Sequence, residues 1–393
     1  MQIEKIYIGG WFQRTTLHLA EIYDFLKEAD SPLDLEKGKL EQLHTALSLE
    51  QVELKVTSLE YIKAGTAEGF GVEMFEDGLM VLSSDSAPGT DEIKERIEAL
   101  TAYYEKRLSP AISYLFSLGA PIPKELANIK NIYPYFLVVR DGSREEVLEL
   151  LKVFGEEEHF EIREPGFEIY RGDKLYVIIL KEATHESAKR FIEEQVFIRE
   201  FKGQLHRYLN LHRTIWERIA EVKEKGEIQG KDVGAFTTKI ESYAKTINLI
   251  EARINQMGAY LRTRESVAKN DPHMKDFVAV LSFKHETLAD TLEYVKEIWG
   301  MTKNYVQSAQ GLFSAIQAKA TESSVKNLTI ITSMGVGATL IGLFAQEAPE
   351  FTGFGVFYFF ALAFIGWLAN KTMGNVAQRR KYKIEDTEVA KDL

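Results

Sequence analysis

Hydrophobic positions along the chain keep one rhythm up to about residue 182 and another after it. In the first part, short apolar runs between turn residues predict strands alternating with helices. The run KIYIGGWF (Lys5 to Phe12) reads as a strand, and RTTLHLAEIYDFLKE after it has helical periodicity. VELKVTSLEYIK reads as strand. VEMF and LMVLSS, separated by Glu76-Asp77-Gly78, read as a hairpin, because Asp-Gly between two β-rich runs is a hairpin signal. A helix is expected from about Asp91 to Leu118, stopping near Pro121 and Pro123, followed by a strand in YPYFLVVR. Ser143 and Glu146 form a capping box for a helix through Phe154, and FEIREPGFEIYRGDKLYVIIL closes the region as two or three short strands. IYIGGWFQRTTLHLAEIYDFL and YFLVVRDGSREEVLELLKVFG share one order: strand, glycine-containing turn, arginine, hydroxyl, helix. That echo is faint, and two βα units of this kind are common by chance.

From about Thr184 apolar residues recur in threes and fours, as in a coiled-coil seam. Ile198, Phe201, Leu205, Tyr208, His212, Ile215, Ile219 and Val222 make the first seam, which ends at Gly226 and Gly230. Phe236, Ile240, Tyr243, Ile247, Ile250, Ile254, Met257 and Leu261 make the second, so an antiparallel helical pair is expected. Asp271-Pro272 restarts the chain with an N-cap and a proline at the first helical position. The third seam runs from Leu288 through Trp299 and Phe313 to Ser323 without a breaker. At 1.5 Å per residue, Lys275 to Ala345 would make a rod of roughly 100 Å, which needs neighbours and so predicts further subunits.

Two runs without charge follow, NLTIITSMGVGATLIGLFAQ and FTGFGVFYFFALAFIGWLAN, joined by Glu347, Ala348, Pro349 and Glu350. Each is as long as the roughly 20 residues a helix needs to cross a bilayer. Lys326 and the group Lys371, Arg379, Arg380, Lys381 and Lys383 flank them, whereas the joining loop is acidic. That asymmetry places both chain ends in the cytoplasm and the protein in the inner or cell membrane. No signal peptide opens the chain, and there is no cysteine, hence no disulfide or thiolate metal site. A net charge of −11 argues against nucleic acid as a direct partner.

The order of α/β domain, long antiparallel helices, stalk, short loop and basic end resembles the CorA-type magnesium transporter superfamily. VKNLTIITSMGVGATLIGLF is similar to that family's pore-helix entry, and Arg379, Arg380, Lys381 and Lys383 to its C-terminal basic cluster. The resemblance implies an α+β cytoplasmic domain (1–182), a long helical pair (183–271) and a stalk helix (272–326). It further implies a two-helix transmembrane hairpin (327–370) and a basic, then acidic, tail (371–393), all in a CorA-like funnel. It also implies a homopentamer in the lipid bilayer, with magnesium or another divalent cation as transported ion and regulator and no other cofactor. The family's Gly-Met-Asn signature is absent: the corresponding place reads Ala345-Gln346-Glu347.

Candidate site residues follow from these readings. Val325, Leu328, Thr332, Val336, Thr339, Leu343 and Gln346 fall on one helical face and are the expected pore lining, although threonine and glycine also serve as packing between membrane helices. Gln346, Glu347 and Glu350 are the expected outer mouth, where rings of carboxylate would attract cations. Arg14, Thr15 and Thr16, and likewise Arg140, Ser143 and Arg144, could hold an anion at a helix N-terminus or serve as turns and caps. The histidines show no metal-ligand spacing, and there is no nucleophile–base set, P-loop or dinucleotide fingerprint, so no enzyme is expected. The function expected is a homo-oligomeric CorA-like cation channel or transporter gated through its cytoplasmic domain. The alternative is a ligand-gated membrane effector triggered by a nucleotide second messenger, as in antiviral defence beside type III CRISPR systems.

Overall fold

The first strand of the chain lies at the middle of its sheet. The computed structural model describes residues 1–12, 18–85, 89–115, 132, 134–224, 227–275, 277–344, 381–383 and scattered positions from 357 to 379. Its residues fall into two compact units, 1–209 with 249–297, and 210–248 with 298–393.

The first unit is built on a nine-stranded sheet. Its strands are β1 (Gln2–Trp11), β2 (Leu49–Lys55), β3 (Tyr61–Thr66), β4 (Phe70–Phe75), β5 (Leu79–Asp85), β6 (Tyr135–Arg140), β7 (Phe160–Glu164), β8 (Phe167–Arg171) and β9 (Leu175–Leu180). They stand in the order β2-β3-β4-β5-β1-β6-β9-β8-β7. All neighbours are antiparallel except β6 and β9, which run parallel from Tyr135 beside Leu175 to Arg140 beside Leu180. Helices α1 (Leu19–Glu28), α2 (Lys37–Leu47), α3 (Thr90–Tyr103), α4 (Ser109–Leu115) and α5 (Arg144–Val153) complete this part.

Alternation along β1 divides its side chains between two layers. Ile6 and Ile8 join Met80, Leu82, Leu137 and Val139 in a core with Phe25, Leu100, Val147 and Leu151 from the short helices. Tyr7, Gly9 and Trp11 face the other way, toward α6 (His185–Glu224). Trp11 packs against Phe197 and Phe201 at ring separations of 5.5 and 5.7 Å. With both faces covered, β6 and β9 are buried on both sides, which is why YFLVV and LYVIIL read as unbroken apolar runs. A Cβ at Gly9 would lie 2.8 Å from the Met80 carbonyl and 3.0 Å from Val196, so only glycine lets α6 approach this closely.

Most of the expected elements form, with instructive differences. VELKVTSLEYIK supplies two strands, β2 and β3, because residues 56–60 turn the chain. KGKLEQLHTAL, passed over in the sequence, is α2, whose Leu40 and Leu47 are buried. Up to Leu115 the helix expected over 91–118 is α3 and α4 joined by a π turn, Tyr104–Leu108; its expected end near Pro121 and Pro123 lies outside the described residues. Pro110 lacks the N–H that a continuous α-helix requires there, and the wider turn absorbs the loss. The Glu76-Asp77-Gly78 hairpin and the Ser143–Glu146 capping box are both present, with Gly78 at φ +91°.

Helices α6, α7 (Gly230–Asn270) and α8 (Val278–Phe344) each contribute residues to both units. Asp271 accepts the His273 N–H as an N-cap, yet it caps only a 3-10 turn, Pro272–Met274, and α8 starts after it. In the second unit, Trp299 and Tyr305 of α8 meet His212 and Trp216 of α6, so these two helices run parallel. The three seams cover one another within a single chain: Ile215, Ile240, Ile247, Val306, Phe313 and Ile316 are all buried. As far as Ile316, then, the seams themselves require no second subunit. Glu227–Gln229 (β10) pairs antiparallel with Lys381–Lys383 (β11), so part of the basic tail is a strand on the helical turn.

The expected fold class needs correction. Among the described residues no helix is long and apolar enough to cross a membrane, so the two-helix transmembrane hairpin over 327–370 is not found. The approach to that region is amphipathic: Phe313 and Ile316 point inward while Gln317, Lys319 and Glu322 face out, which is one-sided patterning and not an apolar cylinder. The CorA-like funnel, drawn from the same expectation, gives way to a three-layer α/β/α sheet unit and a helical unit.

Gly9→Ala should destabilise the protein by about 1–3 kcal/mol, the usual effect of overpacking. Thermal unfolding followed by circular dichroism checks this, and an unchanged midpoint would mean that α6 can move off the strand.

Candidate functional site

The Asp-Gly turn between β4 and β5 carries more than chain reversal. Asp77 is buried, and its backbone carbonyl accepts the Trp11 indole N–H at 2.8 Å. Its carboxylate accepts two bonds from Arg264 of α7, Nε to Oδ2 at 2.5 Å and Nη2 to Oδ1 at 3.0 Å. Arg264 is equally buried, lies 5.0 Å from the centre of the Phe75 ring and reaches Glu194 of α6 through Nη1 at 3.3 Å. The second carboxylate oxygen of Glu194 is 3.3 Å from Nε2 of His285 on α8. One connected set of polar side chains therefore joins the sheet to each long helix.

A second set adjoins it. Lys189 donates to Glu73 at 2.9 Å and lies 3.9 Å from Glu193; Arg190 donates to Glu193 at 3.0 Å and stands 3.5 Å from Asp271. Burial is the main influence on Glu193 and pushes its carboxyl up to about 7 against the pull of Arg190 and Lys189. Lys189 and Arg190 are themselves held more firmly charged than usual by the same carboxylates, despite their burial. Lys189 is shared, since Glu73 also claims it, so Glu193 has less than a full counter-charge. A cavity of about 700 Å³ opens here, lined by Arg190, Glu193, Arg264 and Asp271 among others.

This arrangement can couple helix position to the sheet, and it can take up or release a proton at Glu193. It is not arranged for metal: its carboxylates already face cations. Among the described residues no group of three or more His, Asp or Glu side chains could hold a metal ion.

The sequence-predicted residues stand apart from this network. Val325, Thr332 and Val336 are exposed on α8. The side chains of Leu328, Thr339 and Leu343 lie outside the described part, as do Gln346, Glu347 and Glu350 entirely. Arg14, Thr15 and Thr16 also lie outside it. Arg140 is bonded to Glu4 at 2.5 Å, and Arg144 to Glu158 at 3.1 Å; Ser143 spends its hydroxyl on the Glu146 N–H. Both arginines are thus ion-paired, and the Ser143 hydroxyl serves as the helix cap.

Asp77, Glu193, Glu194 and Arg264 were missed as functional residues. Asp77 was legible only as a turn residue. A signal existed at FIEEQVFIREF, where two adjacent carboxylates sit in a helix with apolar neighbours on both sides. Comparison of the chain with protein families and with curated proteins gives no match.

Arg264→Met should lower stability by about 3–5 kcal/mol, because Asp77 would be left buried without a partner. The double variant Arg264→Met with Asp77→Asn should recover part of that loss in denaturant unfolding; an additive loss would mean that the two residues act separately.

Glu193 gives a pH test. Its folded-state pKa of about 7 lies above the ordinary 4.5, so its contribution is fully present below the unfolded value and is lost as pH rises through 7. Glu193→Gln should therefore gain on the parent between pH 5 and pH 8 by a few degrees in midpoint. A constant difference across that range would show that Glu193 stays ionised in the fold.

Proposed function

We propose that the protein is a homo-oligomeric cation channel or transporter of CorA-like type, working at a lipid bilayer and gated through its sheet unit. One observation carries the reading. Phe357, Phe360, Phe364, Ile365, Trp367, Leu368 and Val376 are all exposed, whereas the seams of α6, α7 and α8 are buried. A concentration of large apolar side chains of this kind calls for lipid or for further copies of the chain. Val325, Thr332 and Val336, exposed at spacings of seven and four on α8, continue the need for partners. A homopentamer is the assembly the resemblance implies, and magnesium is the ion it implies for both passage and regulation.

Gating follows from α8 being continuous. Its first turns pack in the sheet unit, where Leu281 and His285 are buried, and the same helix reaches Phe344. In this reading a ligand on the sheet unit biases a two-state assembly in which α8 takes part. The second reading, a membrane effector answering a nucleotide, is favoured by a cluster on the sheet unit of Arg171, Lys202 and Lys284, which among the described residues have no carboxylate partner.

Purified protein in liposomes should pass divalent cations, tested ion by ion, and native mass spectrometry should return five copies. Recovery in the soluble fraction of cells, or a stable monomer without flux, would overturn the proposal.

A further inference from the structure

We propose that a cleft of about 530 Å³ walled by β8, β9, α6 and α8 binds an anionic aromatic ligand of the nucleotide class. It deepens the second reading above, and binding can be measured whether or not the chain conducts ions. The cleft lies wholly within the sheet unit, on a different side of α6 from the Arg264 network. Gln195, Arg199 and Lys202 follow one another at helical spacing along its α6 wall, Arg171 ends β8, and Lys284 comes from α8.

Charge is the first argument. In the Arg264 network every cation faces a carboxylate, whereas here most do not. Among the described residues Arg171, Lys202 and Lys284 have no carboxylate within ion-pair distance, and only Arg199 has one, Glu200 at 2.8 Å. The carboxylate in the cleft wall, Asp173, lies 2.8 Å from His159. An uncompensated cation removed from water is costly, so a half-buried lysine without a carboxylate beside it marks a place for an anion. Lys284 shows the strain: burial first, then the nearby Arg171 charge, bring its ammonium down to about 8.

The second argument is independent of charge. Lys284 donates to Oε1 of Gln195 at 2.8 Å, which fixes the amide and turns its NH₂ away. That nitrogen is buried with no acceptor, and so are Nε and Nη1 of Arg199. Buried donors of this kind are rare because each carries a desolvation cost of about 1–3 kcal/mol. Phosphate oxygens are the acceptors that suit a guanidinium fork beside an amide.

The third is the aromatic surface. Phe283 at the cleft is 73 % exposed, an unusual place for a phenyl ring. Arg171 lies 5.5 Å from the centre of the Tyr176 ring, which holds the guanidinium in position. A base stacked on Phe283 would put its phosphates toward Arg199 and Lys284. The cavity is within the usual range for a small-molecule site, roughly 300–1,000 Å³. The chain's net charge of −11 disfavours an extended nucleic acid.

Binding would also matter mechanically. An anion shared by Arg171, Arg199 and Lys284 ties α8 to the sheet, so the bound state favours one placement of the helix that continues to Phe344.

The test is calorimetric titration of the full-length protein with ATP, with a cyclic dipurine nucleotide and with sodium tripolyphosphate. At least one nucleotide should bind, with tripolyphosphate weaker. Arg171→Gln and Lys284→Gln should each weaken binding about tenfold or more, as expected for a lost charge-assisted bond. Without ligand, Lys284→Gln should unfold no earlier than the parent, and Arg213→Gln, exposed on α6, should bind as the parent does. Failure of both nucleotides to bind, or binding that survives both cleft substitutions, overturns the proposal. Tripolyphosphate binding as tightly as a nucleotide overturns its aromatic half. A nucleotide that binds through Lys284 but leaves liposome flux unchanged upholds the cleft and counts against the gating role instead.

Discussion

The buried bidentate pair of Arg264 and Asp77 is the constraint on which the sheet unit depends. Two opposite charges taken out of water are tolerated only when they meet with good geometry and their remaining donors and acceptors are satisfied. Here the carboxylate accepts both the guanidinium fork and the Leu79 N–H, and the guanidinium reaches Glu194 as well. A fork fits a carboxylate in few orientations, so the pair sets the register of α7 against the β4–β5 turn as well as its distance. Apolar contacts around it, such as Trp11 on Phe197, would accept small slides; the fork does not.

Helix α6 therefore works with two unlike faces. Lys189, Arg190, Glu193 and Glu194 turn toward partners of opposite sign. Gln195, Arg199 and Lys202 turn toward a cleft where donors outnumber acceptors. Ion pairs on one side and surplus cation on the other are how a helix can be both an anchor and a receiver. The matched face holds the helix in place, and the unmatched face leaves binding energy available to an incoming anion.

Legibility in the sequence followed the range of the interaction. Local signals were readable: the Glu76-Asp77-Gly78 turn, the Ser143 cap and the period of the helical seams each reside in a few adjacent residues. The partner of Asp77, by contrast, is 187 residues away, and no local pattern marks Arg264 among the other polar residues of α7. The cleft was hidden for the same reason, since Arg171, Arg199 and Lys284 come from three separate elements. At the Arg140–Ser143–Arg144 turn, whose residue types suit an anion or a cap, the ion pairs with Glu4 and Glu158 were likewise out of sight of any local pattern. Hydropathy also overreached. Two uncharged runs of 20 residues suggested membrane helices, while among the described residues no helix is long and apolar enough to cross a membrane.

The central place of β1 has a consequence for how the chain is made. Strand β1 cannot be completed on its β6 side until residues 135–140 are synthesised, nor covered by α6 until Val196 has followed. Asp77 waits longer, through 187 further residues, for its guanidinium. At translation speeds of about 5–20 residues per second that interval is roughly 10–40 s. During it, an apolar strand and an unmatched carboxylate must stay in solvent or under a chaperone. Nascent chains that stop short of Arg264 should thus be the form of this protein most prone to aggregation, whatever the stability of the finished fold.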